Sequence, residues 1–191
     1  MGFKDLPAHH LEEQIPAKRI YQEDERIAGE IFRDFPSLDL SLITVLRGAK
    51  PFAKALKNHL SRMGNSKNLQ TDKFRVESYG EKDVSSHDPR VLIPLSHPER
   101  TIYKKDVVLV EDIVDKGYTM FLCALPYILQ YEPNSLVIAS MLTKNSQRDP
   151  IASNLPLKYF GQDIEFFAVG RGLDWKEFYR KGDAVSKVVI H

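Results

Sequence analysis

The segment VVLVEDIVDKGYTM, residues Val107–Met120, places three carboxylates directly after a run of β-branched residues. The run VVLV predicts a buried β-strand, because branched side chains fit a pleated and covered surface. Gly117 predicts a turn shortly after it. Glu111, Asp112 and Asp115 would also share one side of a helix, but β-branched residues and glycine disfavour a helix here. We therefore expect a strand followed by a turn.

Three interpretations of this acidic strand end are open. In an open parallel sheet, ligands bind beyond the carboxyl ends of the strands, where the N–H groups of a following helix also bind anions. The carboxylates would then bind sugar hydroxyls or magnesium, and the backbone of residues 115–119 would bind a phosphate. A helix would instead be comparable to the acidic helices with which prenyl-transferring enzymes hold magnesium and diphosphate. The third interpretation is a solvated turn without a function.

The rest of the chain alternates strand patterns with helix patterns. Leu40–Leu46 is a β-branched run closed by Arg47 and Gly48, and the amphipathic segment after it begins at Pro51, a residue suited to a first helical turn. Further strand-like runs are FRVESYG, VLIPL, SLVIASML, FFAV and VSKVVI. This alternation predicts an α/β domain with a largely parallel sheet. We expect a single domain over residues 1–191, with a loose leader over residues 1–17.

Composition limits the possible partners and the compartment. The 191 residues include 27 basic and 26 acidic side chains, so the formal net charge is +1. That balance argues against binding to nucleic acid or to a membrane surface, and no run approaches the roughly 20 apolar residues that span a bilayer. The single cysteine, Cys123, excludes an intrachain disulfide. We therefore expect a cytoplasmic protein with no nucleic-acid or membrane partner.

Four segments resemble one known family, in the same order along the chain. Val107–Met120 closely resembles the phosphoribosyl diphosphate motif of type I phosphoribosyltransferases, in the form found in hypoxanthine-guanine phosphoribosyltransferases. The other three are LRGAKPFAKAL (46–56), similar to the pyrophosphate loop, RVESYG (75–80), similar to the start of the catalytic lid, and LKYFGQDIEFFAVGRGLDWKEFYR (157–180), similar to the purine- and magnesium-binding segment. The resemblance covers most of the chain after about Lys18.

The resemblance implies a fold, an activity and partners. The expected fold is that of the type I phosphoribosyltransferases, a largely parallel twisted sheet flanked by helices, with a small hood subdomain made from the N-terminal segment and residues 157–191. The expected activity is purine salvage: transfer of a 5-phosphoribosyl group from phosphoribosyl diphosphate to hypoxanthine or guanine, giving IMP or GMP and pyrophosphate. Mg²⁺ is the implied cofactor, and a homodimer or homotetramer is the implied assembly.

The resemblance also implies roles for individual residues. Glu111 and Asp112 would bind the ribose hydroxyls, directly or through magnesium, and Asp115 would be the general base at the purine N7. The 5′-phosphate loop would comprise Asp115, Lys116, Gly117, Tyr118 and Thr119. Purine contacts would come from Lys158, Phe167 and Ala168, pyrophosphate contacts from Arg47, Gly48 and Arg180, a second magnesium contact from Asp174, and the start of the lid from Ser78 and Tyr79, with GEKDVSSHDP after them.

Some positions leave alternatives open. Lys116 stands where the family usually has threonine or serine, so its ammonium either reaches the 5′-phosphate or points to solvent. Phe167 could pack in the core, and Asp174 and Arg180 could simply pair around a short helix. The resemblance further suggests a cis peptide between Leu46 and Arg47. A non-catalytic, nucleotide-sensing regulator on the same fold is the alternative function, although such regulators tend to carry a basic surface that this chain lacks.

Overall fold

The computed structural model describes residues 6–79 and 88–191. Within those residues, the strands are β1 (His9–Ile15), β2 (Leu40–Leu46), β3 (Gln70–Tyr79), β4 (Asp88–Ile93), β5 (Asp106–Val114), β6 (Ser135–Thr143), β7 (Leu157–Asp163), β8 (Ala168–Val169) and β9 (Val185–Ile190). The α-helices are α1 (Ala17–Asp34), α2 (Lys50–Met63), α3 (Pro98–Thr101) and α4 (Leu125–Leu129). A π-helical turn, Met120–Ala124, leads into α4.

The main layer is a six-stranded sheet with the order β4-β3-β2-β5-β6-β7. The strands β3, β2, β5, β6 and β7 are parallel, and only the edge strand β4 is antiparallel. Parallel strands need long crossover connections, which the helices on the two faces of the sheet provide. The predicted α/β fold with a largely parallel sheet is therefore confirmed.

The segment Val107–Met120 forms a strand and a turn, as its β-branched residues predict. Val107, Val108, Leu109 and Val110 are fully buried in β5, the strand at the centre of the sheet between β2 and β6. Glu111 and Asp112 lie near the carboxyl end of this strand. The acidic-helix interpretation is therefore excluded, because the carboxylates do not lie on a helix.

Two apolar clusters fill the two faces of the sheet. On one face, α1 contributes Ile20, Ile27 and Ile31 and packs beside α2, whose Leu56 and Leu60 are fully buried. The cluster on the other face includes Ile43, Phe74, Ile102 and Leu109 together with Met120 and Ile128. Because both faces are covered, the central strands are apolar throughout rather than alternating.

A second, three-stranded sheet forms the hood. Its order is β1-β9-β8, and β1 pairs antiparallel with β9 from His9 opposite Ile190 to Ile15 opposite Val185. The prediction of a loose leader over residues 1–17 is therefore wrong for residues 9–15. Most side chains of β1 are exposed, so the sequence lacks the apolar alternation that marks a strand. Backbone pairing with β9 forms this strand instead.

Among the described residues, no helix is long and apolar enough to cross a membrane.

Candidate functional site

A cavity of about 470 Å³ opens at the carboxyl ends of β2, β3 and β5. This is the edge at which ligands bind in open parallel sheets. Most of the residues predicted for the site line it: Arg47, Gly48, Glu111, Asp112, Asp115, Lys116, Gly117, Tyr118, Thr119, Asp174 and Arg180. Arg75, on β3, also lines it, although the sequence predicted no role for this residue.

Glu111 and Asp112 form an acidic pair at the base of the cavity. Glu111 is 8% exposed, and its Oε1 accepts a hydrogen bond of 2.9 Å from the backbone N–H of Asp112. Burial, together with the nearby charge of Asp112, raises the pKa of the Glu111 carboxyl well above its usual range. A hydroxyl donor or a cation beside this pair would relieve the cost of ionising it.

The loop between β2 and α2 packs directly on this acidic pair. A Cβ atom at Gly48 would lie 1.5 Å from Asp112 Oδ2, and one at Gly172 would lie 2.1 Å from the Gly48 carbonyl oxygen. Only glycine permits these two approaches. The peptide bond between Leu46 and Arg47 is cis, as the family resemblance suggested.

Asp115 and Lys144 form a polar pair just beyond the strand ends. Lys144 directly follows β6, and its Nζ lies 3.2 Å from Asp115 Oδ2. The Lys144 side chain is only 10% exposed, whereas that of Asp115 is 44% exposed. Since Asp115 Oδ1 is buried, Oδ2 is the oxygen that a substrate could reach.

The loop after β5 is a tight turn that requires glycine. Gly117 has a φ of +88°, and a Cβ there would lie 2.6 Å from Cβ of Ala152. The Tyr118 hydroxyl donates a hydrogen bond to Asp149, and the Asp149 N–H donates to the Lys116 carbonyl oxygen at 3.1 Å. These bonds hold the turn in place while the exposed Lys116 side chain lines the cavity.

Three arginines line the cavity, and each is paired with a carboxylate. Arg47 Nη1 lies 2.9 Å from Glu177 Oε2, and Arg75 Nη2 lies 3.0 Å from Glu77 Oε1. Arg180 Nη2 lies 2.8 Å from Asp174 Oδ1 and 3.3 Å from Glu177 Oε1. The predicted pyrophosphate residues Arg47 and Arg180 are thus brought together.

The three residues predicted to contact the purine do not line the cavity. Lys158 is at the amino end of β7, the opposite end from the cavity, and its Nζ pairs with Asp34 at 2.8 Å. Phe167 is 52% exposed rather than packed in the core, and Ala168 begins β8 in the hood. None of these three is among the described residues that line the cavity, and Lys144 is not among them either, whereas its partner Asp115 is.

The lid prediction falls mostly outside the described residues. The backbone of Ser78 and Tyr79 forms the end of β3, next to the cavity-lining residues Arg75 and Val76. Residues 80–87, which include most of GEKDVSSHDP, are not described.

The carboxylates of the cavity are suited to a metal ion that the protein shares with a substrate rather than to one held by protein ligands alone. In the described part of the chain, no cluster of three or more acidic, histidine or cysteine side chains could hold a metal ion. Glu111 with Asp112 forms one partial set of oxygen donors, and Asp174 supplies another. Magnesium typically takes one or two carboxylates and completes its shell with substrate phosphates and water. The donor set therefore fits Mg²⁺ bound together with a phosphorylated substrate.

A parallel sheet with an acidic strand end, a glycine turn after it and a small antiparallel hood defines the type I phosphoribosyltransferase class. The model of the phosphoribosyl transferase domain family matches residues 12–175, and the chain belongs to this family.

Several relatives are named as hypoxanthine or hypoxanthine-guanine phosphoribosyltransferases. The chain is 36% identical over 172 residues to the hypoxanthine-guanine phosphoribosyltransferase of Mycobacterium tuberculosis (strain H37Rv), covering 88% of this chain and 78% of the relative. It is 31% identical over 187 residues to the hypoxanthine phosphoribosyltransferase of Escherichia coli K12, covering 95% and 97%. A solved structure of a Trypanosoma cruzi hypoxanthine phosphoribosyltransferase variant with the product IMP has a TM-score of 0.79 and 26% identity, covering 98% of this chain and 93% of that one.

Proposed function

We propose that this protein is a hypoxanthine-guanine type phosphoribosyltransferase of purine salvage. It transfers the 5-phosphoribosyl group of phosphoribosyl diphosphate to N9 of hypoxanthine or guanine, and releases IMP or GMP with pyrophosphate. Family membership and the named relatives support this reaction. The observation that carries the choice of a 6-oxopurine is the pair formed by Asp115 and Lys144.

The Asp115–Lys144 pair complements one edge of a 6-oxopurine. N7 and O6 of such a base are neighbours on the same edge, the first able to carry a proton and the second an acceptor. A carboxylate oxygen and an ammonium 3.2 Å apart offer an acceptor and a donor to that edge. We therefore assign the O6 contact to Lys144, in place of the predicted Lys158. An adenine has an amino donor at this position, which an ammonium would repel.

The remaining residues divide between the two ends of the sugar diphosphate. Glu111 and Asp112 bind the ribose hydroxyls, and the backbone of residues 115–119 with the Thr119 hydroxyl binds the 5′-phosphate. Arg47, Gly48 and Arg180 bind the pyrophosphate, where guanidinium groups make charge-assisted hydrogen bonds to phosphoryl oxygens. Phe167, half-exposed, is available to stack on the purine, and the Ala168 backbone faces the other edge of the base.

The reaction exchanges one bond at C1′ for another. The purine N9 forms a bond to C1′ while the bond from C1′ to the pyrophosphate oxygen breaks, and the leaving group keeps that electron pair. The N7 proton passes to Asp115 Oδ2, so the purine becomes neutral in the product. Fixing both phosphate groups holds C1′ in line with N9, which lowers the entropic part of the barrier.

One Mg²⁺ would be held by Glu111 and Asp112, and a second by Asp174. In both cases oxygens of the substrate would complete the set of ligands. When bound, Mg²⁺ would neutralise charge that develops on the pyrophosphate. The homodimer or homotetramer and the cytoplasmic location implied by the resemblance stay predictions.

Nucleotide synthesis tests the proposed function directly. The protein is incubated with phosphoribosyl diphosphate and Mg²⁺, with hypoxanthine, guanine, xanthine or adenine in separate reactions, and the nucleotide product is separated and quantified. We expect IMP or GMP and no AMP. Tight binding of the sugar diphosphate without any nucleotide would instead indicate the non-catalytic regulator.

Substitution of Asp115, the proposed general base, should remove most of the activity. Asp115→Asn keeps the size of the side chain but cannot accept the N7 proton, so we expect kcat to fall by roughly 10²-fold or more. The dissociation constant of phosphoribosyl diphosphate, measured by calorimetry, should change little because Asp115 contributes mainly its backbone there. A variant that turns over like the parent would remove Asp115 from the mechanism.

A further inference from the structure

The carboxylate of Glu177 bridges the two arginines assigned to the pyrophosphate. Its Oε2 lies 2.9 Å from Arg47 Nη1, and its Oε1 lies 3.3 Å from Arg180 Nη2. The two oxygens thus contact one guanidinium each. Arg47 and Arg180 come from distant parts of the chain, the loop after β2 and the segment between β8 and β9, and Glu177 joins them.

The hairpin that carries Glu177 is fixed by its backbone and not by this side chain. The Glu177 N–H donates to Asp174 Oδ2 at 2.6 Å, and Trp175 pairs with Phe178 in an isolated antiparallel bridge. The Glu177 side chain itself is 64% exposed. The carboxylate can therefore leave the two arginines without disturbing the fold of the hairpin.

A diphosphate and the Glu177 carboxylate need the same donors. Both are anions that bind guanidinium groups through pairs of oxygens, and the Arg47 and Arg180 groups that face Glu177 cannot serve both at once. Exposed ion pairs are individually weak, so a highly charged diphosphate can displace the carboxylate, but it does so at some loss of affinity.

We infer that Glu177 is an internal competitor of the pyrophosphate group and sets the affinity for both phosphoribosyl diphosphate and released pyrophosphate. The inference rests on the proposed function, since it takes Arg47 and Arg180 as pyrophosphate ligands. It gives Glu177 a specific effect: weakening of both complexes, and hence faster release of pyrophosphate after each turnover. A residue that merely positioned the arginines would have the opposite effect when removed.

The test is calorimetric titration of pyrophosphate with Mg²⁺ into the full-length protein and three variants. Glu177→Gln keeps the shape and the backbone bond but removes the charge, Glu177→Asp keeps the charge on a shorter side chain, and Glu132→Gln is the matched control. Glu132 is 68% exposed and pairs with Lys104 at 3.6 Å, and both residues precede the amino ends of their strands, away from the cavity. The control therefore makes the same change in net charge at a distance.

We expect Glu177→Gln to bind pyrophosphate about three- to tenfold more tightly than the parent, because two weak ion pairs no longer compete. The KM for phosphoribosyl diphosphate should fall in parallel, and Glu132→Gln and Glu177→Asp should stay nearer the parent. Unchanged or weaker binding by Glu177→Gln, or no binding of pyrophosphate by the parent, would overturn the inference. Nucleotide formation by the parent is measured separately, and its failure would overturn the proposed function alone.

Discussion

At the scale of single residues, the choice between Lys144 and Lys158 decides how the purine is bound. We expect Lys144→Gln to raise the KM for hypoxanthine and guanine by about tenfold or more, because a charge-assisted contact to O6 is lost. Lys158→Gln is the matched control: it removes the same group from a site where the ammonium pairs with Asp34. Steady-state kinetics with each base measures both. A purine KM that rises only in Lys158→Gln would restore the original assignment.

Lys116 poses a second question at this scale. Its side chain lines the cavity, and no ion pair holds it within the described residues. If its ammonium contacts the 5′-phosphate, Lys116→Thr should raise the KM for phosphoribosyl diphosphate severalfold and leave the KM for the purine unchanged. Equal KM values in parent and variant would mean that the backbone of residues 115–119 binds this phosphate without the lysine.

At the scale of elements, the site depends on the close approach of the loop after β2 to the end of β5. Gly48→Ala would place a Cβ 1.5 Å from Asp112 Oδ2, so the loop and the acidic pair would have to separate. We expect a loss of about 1–3 kcal/mol in the free energy of unfolding, typical of overpacking, and weaker binding of phosphoribosyl diphosphate. Denaturant unfolding and calorimetry measure these two effects.

Gly29→Ala is the control for that substitution. Gly29 lies within α1, and a Cβ there meets nothing within 4 Å. The same change should therefore stabilise the protein by roughly 0.5–1 kcal/mol, since alanine favours the helix. Equal stabilities of the two variants would contradict the close packing of Gly48.

The elements also show where sequence reasoning succeeds and where it does not. Val107–Met120 was predictable because β-branched residues and Gly117 act locally, and the strand then carries its carboxylates to the ligand-binding edge. Lys144, which we propose as the O6 contact, was not predicted, although it follows the apolar run SLVIASML at the same edge of the sheet. The expectation that ligands bind beyond the carboxyl ends of parallel strands applies to Lys144 as it does to Asp115. Strand β1 was missed for a different reason, since it depends on pairing with β9, whose residues lie 170 or more positions away in sequence.

At the scale of the whole molecule, a buried ion pair joins the helical layer to the hood. Asp24 on α1 accepts a hydrogen bond from Arg171, which follows β8, and both side chains are almost fully buried. Asp183 lies 3.7 Å from the same guanidinium, and its charge and that of Glu23 also act on Asp24. Breaking such a pair by removing one partner leaves the other charge buried and is strongly destabilising.

Because of this pair, we expect the stability of the protein to fall as the pH rises. Burial raises the pKa of Asp24 to about 6, against the opposing effect of Arg171, whereas the unfolded chain has its ordinary value of 3.8. Between these two values the folded protein binds more protons than the unfolded chain, so its stability falls as the pH rises from about 4 to about 6. Asp24→Asn, which does not titrate at this position, should not show this loss of stability.

Urea unfolding of both proteins at pH 4 and pH 7 isolates the contribution of Asp24, because all other carboxyl groups are common to the two proteins. If the parent and the variant lose the same stability over this range, the Asp24 carboxyl is ionised throughout, and the hood is held by a fully charged pair.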